Sequence, residues 1–383
     1  MYHMTQLPAP SDAQLAHSQT LLHLIQAEIA ASGGWIPFAD YMRLALYAPG
    51  LGYYSGPSRK FGSQGDFVTA PETSALFGQS LANTLVPVLL ATGGDVLEVG
   101  AGSGRLAADV LAALEAQDAL PRHYWILELS GDLAARQREL IATHLPHLLD
   151  RVNWLTALPT AFRGAIIGNE VLDAMPCRLV RKTEAGWMER GVIWQDGLQW
   201  EERPIDAPAA LAYLDLPDDY LTELPEEANG FVASLAEAVE AGALILPDYG
   251  FIAREFYHPQ RTRGTLMCHY RHHAHDDPLL WPGLQDITTH VDFSAIWAAA
   301  TDAGWQLEGF TSQASFLIDA GILNCMSRLD PDSRDYFRES AAVQKLLSPA
   351  EMGELFKVIG FSKNLALEGL LPGFRRDDRS GGL

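Results

Sequence analysis

The chain has 383 residues, of which 48% are hydrophobic, so it is long enough for one large core or two domains. Its 27 basic and 48 acidic residues give a net charge of −21, which argues against nucleic acid as a partner because phosphate binding requires basic patches. The few, widely spaced cysteines, Cys177, Cys268 and Cys325, indicate a reducing compartment rather than a disulfide framework.

Positive charge is absent from the first part of the chain. No Lys or Arg precedes Arg43, whereas secretory and transit peptides both need early basic residues. The sequence also has no uninterrupted run of about 18 apolar residues, the length that a membrane-spanning helix needs. We therefore expect a cytoplasmic protein with no membrane partner.

Residues 1–90 are predicted to form an N-terminal helical segment with a lid-like loop. Leucine and isoleucine recur at helical spacing over residues 12–32, and a short helix is expected at 39–46. Residues 47–71 are rich in Gly, Tyr, Pro and Ser without periodicity, and a loop of that length is typical of a functional segment. A further helix is expected over residues 73–90.

A glycine-rich turn follows the next predicted strand. The apolar strand 95–99 leads into Gly100, Gly102 and Gly104, and residues 105–117 then have a helical composition. Glycine lacks the Cβ atom that keeps a backbone away from a ligand, and the helix presents free N–H groups at its start. The turn therefore predicts a ligand-binding loop.

Two ligands fit that turn. Gly102-x-Gly104-x-x-Ala107 satisfies the dinucleotide pattern, so NAD is allowed, while the lack of a Gly-Lys-Ser/Thr sequence excludes a P-loop. Glu98 favours a different ligand, because a carboxylate repels a pyrophosphate and pairs with a cation. S-adenosyl-L-methionine carries a sulfonium, an ammonium and no phosphate, and Glu98 is expected to hold that ammonium.

The following strand ends in a second acid. Residues 123–128 form an apolar run that ends at Glu128, and a carboxylate in this position of a βαβ unit accepts hydrogen bonds from ribose hydroxyls. NAD and S-adenosyl-L-methionine both contain such a ribose, so Glu128 supports nucleoside binding without separating them.

The chain beyond the turn alternates strands and helices, which predicts a doubly wound α/β sheet. Core strands are expected at 95–99, 123–128, 151–155, 164–168 and 242–247. Between the fourth and fifth of these, residues 177–235 are predicted to form an insertion, with short antiparallel strands over 176–202 and an acidic helical pattern over 206–240. Residues 91–176 and 236–383 then form the core domain, which ends with a helix at 292–304, strand material at 305–322, a helix at 331–347 and a strand at 354–359.

A polar cluster follows the fourth predicted strand. Asn169, Glu170 and Asp173 come directly after Ala165–Ile167, at the strand end that faces the ligand crevice in open α/β sheets. Glu170 and Asp173 are three residues apart, so a helical turn places both carboxylates on one face. The alternative is a helix N-terminus with acids that complement its dipole.

The 47–73 loop supplies further candidates. Aromatic residues interleaved with glycines suit a lid over a cationic ligand through cation–π contacts. An ordinary packed loop has the same composition. The candidate pocket residues of this loop are Tyr53, Tyr54, Asp66, Thr69, Pro71 and Glu72.

Two later stretches carry weaker signals. Asp248 and Tyr249 follow the fifth predicted strand, and His290 is a candidate base, although a lone histidine is more often structural. The histidine-rich run 268–277 lacks the ligand spacing of a zinc site, so we expect no metal.

Taken together, these clusters resemble the MidA-like methyltransferases. The stretches that carry the resemblance are Phe38-x-x-Tyr41-Met42-x-x-x-Leu46-Tyr47-x-Pro49-x-x-Gly52-Tyr53-Tyr54, Gly65-Asp66-Phe67-x-Thr69-x-Pro71-Glu72-x-Ser74-x-x-Phe77-Gly78, Glu98-x-Gly100-x-Gly102-x-Gly104, Asn169-Glu170-x-x-Asp173-Ala174-x-Pro176, Asp248-Tyr249-Gly250, Arg263-Gly264-Thr265-Leu266, Pro282-Gly283-x-x-Asp286-Ile287-Thr288-x-His290-Val291-Asp292-Phe293 and Gly353-Glu354-x-Phe356-Lys357-Val358. The glycine motif is generic, whereas the first two stretches and the 282–293 stretch are specific.

The resemblance implies a class I methyltransferase (Rossmann-like) fold with S-adenosyl-L-methionine as cofactor. The mitochondrial members of the family are complex I assembly factors that methylate a protein arginine, which implies a protein substrate with an arginine acceptor. Glu170 and Asp173, with Asn169, are then expected to orient the guanidinium, and Thr69 and Pro71 to bind the cofactor together with the glycine turn, Glu98 and Glu128. The residues expected to bind substrate are Tyr53, Tyr54, Asp66, Glu72, Asp248, Tyr249 and His290. Two other functions are open: a non-catalytic assembly or chaperone-like protein, and an NAD-dependent oxidoreductase.

Overall fold

The computed structural model describes residues 7–56 and 69–383. Within them the helices are α1 (Asp12–Ala31), α2 (Phe38–Tyr47), α3 (Ala70–Thr73), α4 (Ala75–Thr92), α5 (Arg105–Glu115), α6 (Gly131–His144), α7 (Glu226–Ala238), α8 (Ala253–Phe256), α9 (Phe293–Asp302), α10 (Gln313–Asp319), α11 (Ile322–Met326), α12 (Arg334–Leu347) and α13 (Met352–Leu355). The strands are β1 (Ile36–Pro37), β2 (Asp95–Val99), β3 (Tyr124–Leu127), β4 (Val152–Leu155), β5 (Phe162–Ile167), β6 (Arg178–Thr183), β7 (Gly186–Trp194), β8 (Leu198–Ile205), β9 (Tyr220–Leu224), β10 (Val239–Phe251), β11 (Met267–Tyr270), β12 (His273–His275), β13 (Asp286–Thr288), β14 (Val291–Asp292), β15 (Gln306–Ser312) and β16 (Phe356–Lys363).

The chain divides into two compact units that differ from the predicted domains. The first unit is drawn from Met1–Phe67, Leu172–Asn229 and Phe251–Asp292. The second unit is drawn from Val68–Val171, Gly230–Gly250 and Phe293–Leu383. The predicted insertion therefore does not stand alone, because its strands pack with the N-terminal helices into one core: Leu179 and Val192 lie in the same buried cluster as Leu21 and Phe38.

A mostly parallel sheet organises the second unit, in the strand order β15-β16-β10-β5-β2-β3-β4. Strands β4, β3, β2, β5 and β10 run parallel, whereas β16 is antiparallel to both β10 and β15. The central strands are apolar and buried, since helices cover both faces of such a sheet. The predicted α/β fold class is confirmed, and β6–β9 do separate the fourth and fifth core strands along the chain.

Helix α4 belongs to the core of the second unit. It is long and apolar enough to cross a membrane by length and composition alone. Phe77, Leu81 and Leu85 on this helix have no exposed surface in the structure. Ser74 caps its first turn, and Gly93 ends it in a left-handed conformation. Its apolar composition is thus accounted for by burial within the protein.

Antiparallel strands and helices form the first unit. One sheet has the order β1-β7-β6-β9, with β8 paired to β7, and a smaller sheet has the order β12-β11-β13. Helix α1 begins with a capping box, in which Ser11 and Gln14 satisfy each other's backbone N–H groups. Its buried face carries Leu21, Ile25 and Ile29.

Two element predictions are wrong. Residues 206–240 do not form one helical stretch, because β9 pairs with β6 and buries Tyr220 and Thr222 before α7 begins. Residues 305–322 are not all strand: β15 ends at Ser312, whose side chain accepts a hydrogen bond from the Ser315 N–H and so starts α10. Strand pairing decides the first case and helix capping the second, and neither is visible in the local apolar pattern.

Candidate active site

Glu98 lies at the end of β2, almost completely buried. Its Oε2 accepts a hydrogen bond of 2.5 Å from the Tyr124 hydroxyl of the neighbouring β3. Burial raises the pKa of Glu98 to about 7, against the opposing effect of that hydrogen bond. The carboxyl group is therefore close to half ionised near neutral pH, and a bound cation would favour its charged form.

The predicted glycine turn connects β2 to α5, and all three glycines have positive φ. The values are 64° at Gly100, 52° at Gly102 and 86° at Gly104, which caps α5. A Cβ at Gly100 would come within 3.0 Å of the Val171 side chain, and one at Gly104 within 3.1 Å of the Gln137 Cα. The turn thus needs glycine for its backbone conformation, and at Gly100 and Gly104 also for close packing.

Glu128 stands just after β3, where the carboxylate is held from two sides. Its Oε1 accepts from the Ser130 N–H at 2.9 Å, and its Oε2 accepts from Gln137 Nε2, also at 2.9 Å. The same Nε2 donates to the carbonyl oxygen of Gly102 at 3.0 Å. Sequence reasoning missed Gln137, since a single glutamine on a helix carries no distinguishing pattern.

Thr69, Pro71 and Glu72 lie beside the glycine turn in the second unit. Thr69 occupies the N-cap position of the short helix α3, which contains the buried Pro71. The Glu72 Oε1 accepts a hydrogen bond from the Ser103 hydroxyl of the turn. The structure thus ties Glu72 to the predicted cofactor loop. Asp66 lies outside the described residues.

The polar cluster after β5 does not form the predicted helical turn. Residues 168–176 run through bends and turns, and Glu170 has a left-handed φ of 52°. The Glu170 N–H donates to the Pro247 carbonyl at 2.9 Å, so it is drawn towards β10 rather than into a helix. Asn169 and Glu170 belong to the second unit and Asp173 to the first, and the expectation of two carboxylates on one helical face is wrong.

Glu170 is nevertheless held in place beside Asn169. Its Oε1 accepts from Asn169 Nδ2 at 2.9 Å and from the Ala70 N–H at 3.5 Å. Within residues 7–56 and 69–383, the buried Oδ1 of Asn169 has no hydrogen-bond partner. A buried carbonyl oxygen without a donor is costly, so this atom marks a place for a ligand N–H or O–H group.

The aromatic candidates of the first unit pack around buried acids. Tyr53 is a core residue whose ring meets that of Tyr54 edge-on at 5.1 Å. The Tyr54 hydroxyl donates to Asp286 Oδ1 at 2.8 Å, and its ring stacks on Tyr47 at 5.5 Å. Burial and then the charge of Asp286 raise the pKa of Tyr54, with smaller effects from Tyr47 and Asp173. Tyr54 is therefore a neutral hydrogen-bond donor close to the carboxylates of Asp286 and Asp173.

His290 is packed rather than exposed as a base. Its ring stacks on Phe251 with centroids 4.9 Å apart and planes 4° from parallel, and its backbone N–H donates to Thr265 Oγ1 at 3.0 Å. Burial, followed by the nearby charge of Arg261, lowers the pKa of His290 to about 4. The imidazole is therefore neutral at physiological pH.

Asp248 and Tyr249 lie inside β10, which extends to Phe251, and not after its end. Parallel pairing with β5 stops at Ile245, whereas antiparallel pairing with β16 continues to Tyr249. Asp248 is fully buried, and its Oδ1 accepts from the Tyr249 N–H at 2.8 Å. The tyrosine ring packs against Phe356.

The histidine-rich run forms the hairpin β11–β12, with Arg271 and His272 in left-handed conformations at its turn. In the part of the chain that the structure describes, no three His, Cys, Asp or Glu side chains are grouped as a metal site requires. The histidines of this run lie in or beside β11 and β12, which pair with each other, and β11 also pairs with β13, so the segment has a structural role in the small sheet.

The second unit thus brings three features together near the carboxyl ends of its parallel strands. They are the glycine turn, the oriented carboxylate of Glu128, and the buried Glu98, whose pKa is about 7. Such an arrangement defines a nucleoside-binding site of the class I methyltransferase type. The residues fit S-adenosyl-L-methionine, because the buried carboxyl of Glu98 suits a cationic group and the oriented carboxylate of Glu128 suits ribose hydroxyls.

Comparison with known proteins agrees with that class. The sequence profile of Methyltransf_28, an S-adenosyl-L-methionine-dependent methyltransferase family, matches residues 80–311, and the chain belongs to this family. A COG1565 superfamily protein from Burkholderia thailandensis bound to S-adenosyl-homocysteine is 50% identical, with a TM-score of 0.95, over 99% of this chain and 100% of that chain. The protein is therefore a methyltransferase that uses S-adenosyl-L-methionine, and the NAD alternative is set aside.

More distant relatives carry a more specific name. The protein arginine methyltransferase NDUFAF7 homolog, mitochondrial, of Drosophila melanogaster is 29% identical over 92% of this chain and 86% of its own length. The protein arginine methyltransferase NDUFAF7, mitochondrial, of Danio rerio is 28% identical over 89% of this chain and 86% of its own length. These relatives confirm the resemblance drawn from the sequence motifs.

Proposed function

We propose that this methyltransferase transfers a methyl group to an arginine side chain of a protein substrate. The observation that carries the proposal is the Asn169–Glu170 pair, which places a held carboxylate beside a buried amide oxygen that has no donor in the described structure. A guanidinium has five N–H donors and no acceptor, so its hydrogen-bonding needs match such a pair. The names of the distant relatives point to the same acceptor.

The proposed roles follow from the chemistry of each group. S-adenosyl-L-methionine supplies the methyl group and leaves as S-adenosyl-homocysteine. Glu128 accepts hydrogen bonds from the ribose hydroxyls, and Glu98 stabilises the ammonium. Glu170 orients the guanidinium so that one nitrogen points at the methyl carbon. As the N–C bond forms and the S–C bond of the donor breaks, the Glu170 carboxylate accepts the proton that this nitrogen releases.

Mass spectrometry with a labelled donor tests the acceptor. The purified chain is incubated with S-adenosyl-L-methionine carrying a deuterated methyl group and with an extract of cells that lack the protein. We expect labelled methylarginine in one or a few proteins. Label on lysine or on other residues alone, or no labelled protein at all, would contradict the arginine assignment.

Glu170→Gln tests the role of the carboxylate in the same assay. Glutamine has the same shape and faces the same left-handed backbone, but it cannot carry the negative charge. We expect labelling to fall by at least about 100-fold, the usual scale for a positioned acid–base group, with donor affinity changed less than about twofold. Glu237→Gln, on the exposed side of α7, is the matched control. Equal losses of labelling and donor affinity would show that Glu170 acts in donor binding and not on the acceptor.

The cytoplasmic location stays part of the proposal, supported by the few, widely spaced cysteines. Fractionation of cells that express the chain from its own gene checks it.

A further inference from the structure

The side chain of Gln137 connects three elements of the second unit. It projects from α6 and has no exposed surface. Its Nε2 donates to the Gly102 carbonyl at 3.0 Å and to Glu128 Oε2 at 2.9 Å, while its Oε1 accepts from Trp154 Nε1 at 2.8 Å. One amide thus contacts the glycine turn, the carboxylate after β3 and the strand β4.

The direction of each hydrogen bond fixes the amide. Trp154 is only a donor, so it faces the carbonyl oxygen of Gln137 and turns the NH₂ group towards Glu128 and Gly102. Both hydrogens of that NH₂ group are then used, one for each acceptor. A flipped amide would set its oxygen against two acceptors and its NH₂ group against a donor, which makes the observed orientation strongly preferred.

The bridge restrains both partners that face the nucleoside site. Glu128 is already held at Oε1 by the Ser130 N–H, so the bond to Oε2 fixes the plane of its carboxylate. Gly102 has a left-handed φ of 52°, and the bond to its carbonyl restrains a residue type whose backbone is intrinsically flexible. Burying an amide is costly unless every group is paired, and here the pairing joins two ligand-binding segments.

We propose that Gln137 is a positioning residue for S-adenosyl-L-methionine. It couples the glycine turn to Glu128. The segments proposed to contact the methionine and ribose parts of the donor therefore keep a fixed position relative to each other before the donor binds. Trp154 supports this role by orienting the amide. The inference rests on the proposed ribose contact of Glu128 and is independent of the arginine acceptor.

Isothermal titration calorimetry of the full chain with S-adenosyl-L-methionine tests the proposal. Gln137→Met keeps the volume and removes all three hydrogen bonds, and we expect Kd to rise about tenfold, because a hydrogen bond to a charged group is lost. Trp154→Phe removes only the orienting donor and retains a ring for Arg138 to stack on, so we expect a rise of about threefold.

Gln313→Met is the matched control. Gln313 is also fully buried in the second unit, where its Nε2 donates to the Leu346 carbonyl away from the glycine turn. We expect this change to lower the unfolding temperature while Kd stays within about twofold of wild type. An unchanged Kd in Gln137→Met, or equal losses in both methionine variants, would overturn the positioning role. If Gln137→Met does not fold, an unchanged Kd in Trp154→Phe overturns it.

A double-mutant cycle shows whether Gln137 acts through Glu128. We expect the tenfold effect of Gln137→Met to shrink to threefold or less in a Glu128→Gln background, because the carboxylate that the bridge orients is gone. Full additivity would overturn the coupling. Wild-type affinity in Glu128→Gln would instead refute the ribose contact itself, so the two failures are distinguishable.

Discussion

Glu98→Gln is expected to remove a pH dependence from donor binding. In wild type the pKa of Glu98 is raised to about 7 by burial. About 10% of the side chain is then ionised at pH 6 and about 90% at pH 8. If the ionised form binds the cationic donor, its contribution to affinity rises about ninefold between these pH values. Glutamine keeps an oxygen for the Tyr124 hydroxyl but has no charge to gain.

Calorimetry at pH 6, 7 and 8 measures both proteins with S-adenosyl-L-methionine. The α-amino group of the donor itself titrates near pH 8, and Glu98 is proposed to bind its ammonium form, so the loss of that form at pH 8 lowers the wild-type affinity specifically. The ratio of wild-type to Glu98→Gln affinity is therefore compared at pH 6 and pH 7, where the ammonium prevails, and we expect it to rise about fivefold as the ionised fraction of Glu98 goes from about 10% to about 50%. A ratio that stays constant would refute the electrostatic role and leave Glu98 as a structural partner of Tyr124.

Thermal unfolding without ligand gives an independent check on the same pKa. A folded-state pKa above the ordinary value of 4.5 means that the native protein holds a proton that the unfolded chain releases. Wild-type stability is therefore lost as pH rises from about 4.5 through 7, and the glutamine variant escapes that loss. We expect Glu98→Gln to gain in unfolding temperature relative to wild type between pH 5 and pH 8. The opposite trend would show that the pKa is not raised.

Two further substitutions are matched with controls and read by chemical denaturation. Gly104→Ala introduces a Cβ at a φ of 86°, so we expect a loss of about 1–2 kcal/mol, whereas Gly131→Ala in open space at the start of α6 should cost nothing measurable. Equal effects would show that neither the left-handed backbone nor the close approach to Gln137 is the cause. Arg178→Ala breaks a two-point pair with Glu189 at 2.7 and 2.8 Å, and we expect a loss of about 2 kcal/mol. Arg263→Ala, at an exposed ion pair, should cost less than about 0.5 kcal/mol, and a larger loss there would show that exposure does not explain the difference.

The parallel sheet was predictable because its strands are buried on both faces. Such strands appear as short continuous apolar runs, and the predicted 95–99 agrees with Asp95–Val99, as 164–168 nearly does with Phe162–Ile167. The glycine turn was visible for a related reason, since glycines in alternate positions have no role in a regular helix or strand. Both patterns are local in the sequence, and the structure contains the strands and the turn that they predict.

Non-local effects explain the errors. Strand β9 exists because β6 lies beside it to pair with, and no pattern within 220–224 reveals that partner. The backbone at Glu170 is set by its bond to the Pro247 carbonyl, which is 77 residues away along the chain. The grouping of the N-terminal helices with the inserted strands depends likewise on contacts over long sequence separations.

Gln137 shows the same limit within the site. Sequence reasoning finds residues that stand at strand ends, because position alone marks Glu98, Glu128 and Asn169 as candidates. It does not find a residue whose importance lies in joining two of them, since that depends on which helix face meets the turn. The candidates found from the sequence are therefore side chains expected to contact a ligand. The structure adds Gln137, which holds Glu128 and the glycine turn in place.

The donor and acceptor questions can therefore be separated by experiment. Glu98, the glycine turn, Glu128 and Gln137 all belong to the second unit, in which hydrogen bonds link Gln137 to the turn and to Glu128. Their substitutions are expected to change donor affinity in the absence of any acceptor, so they can be measured before a substrate protein is known. A variant that loses methyl transfer while its donor affinity is intact then identifies an acceptor residue, and this criterion assigns a role to Glu170 without assuming which amino acid is methylated.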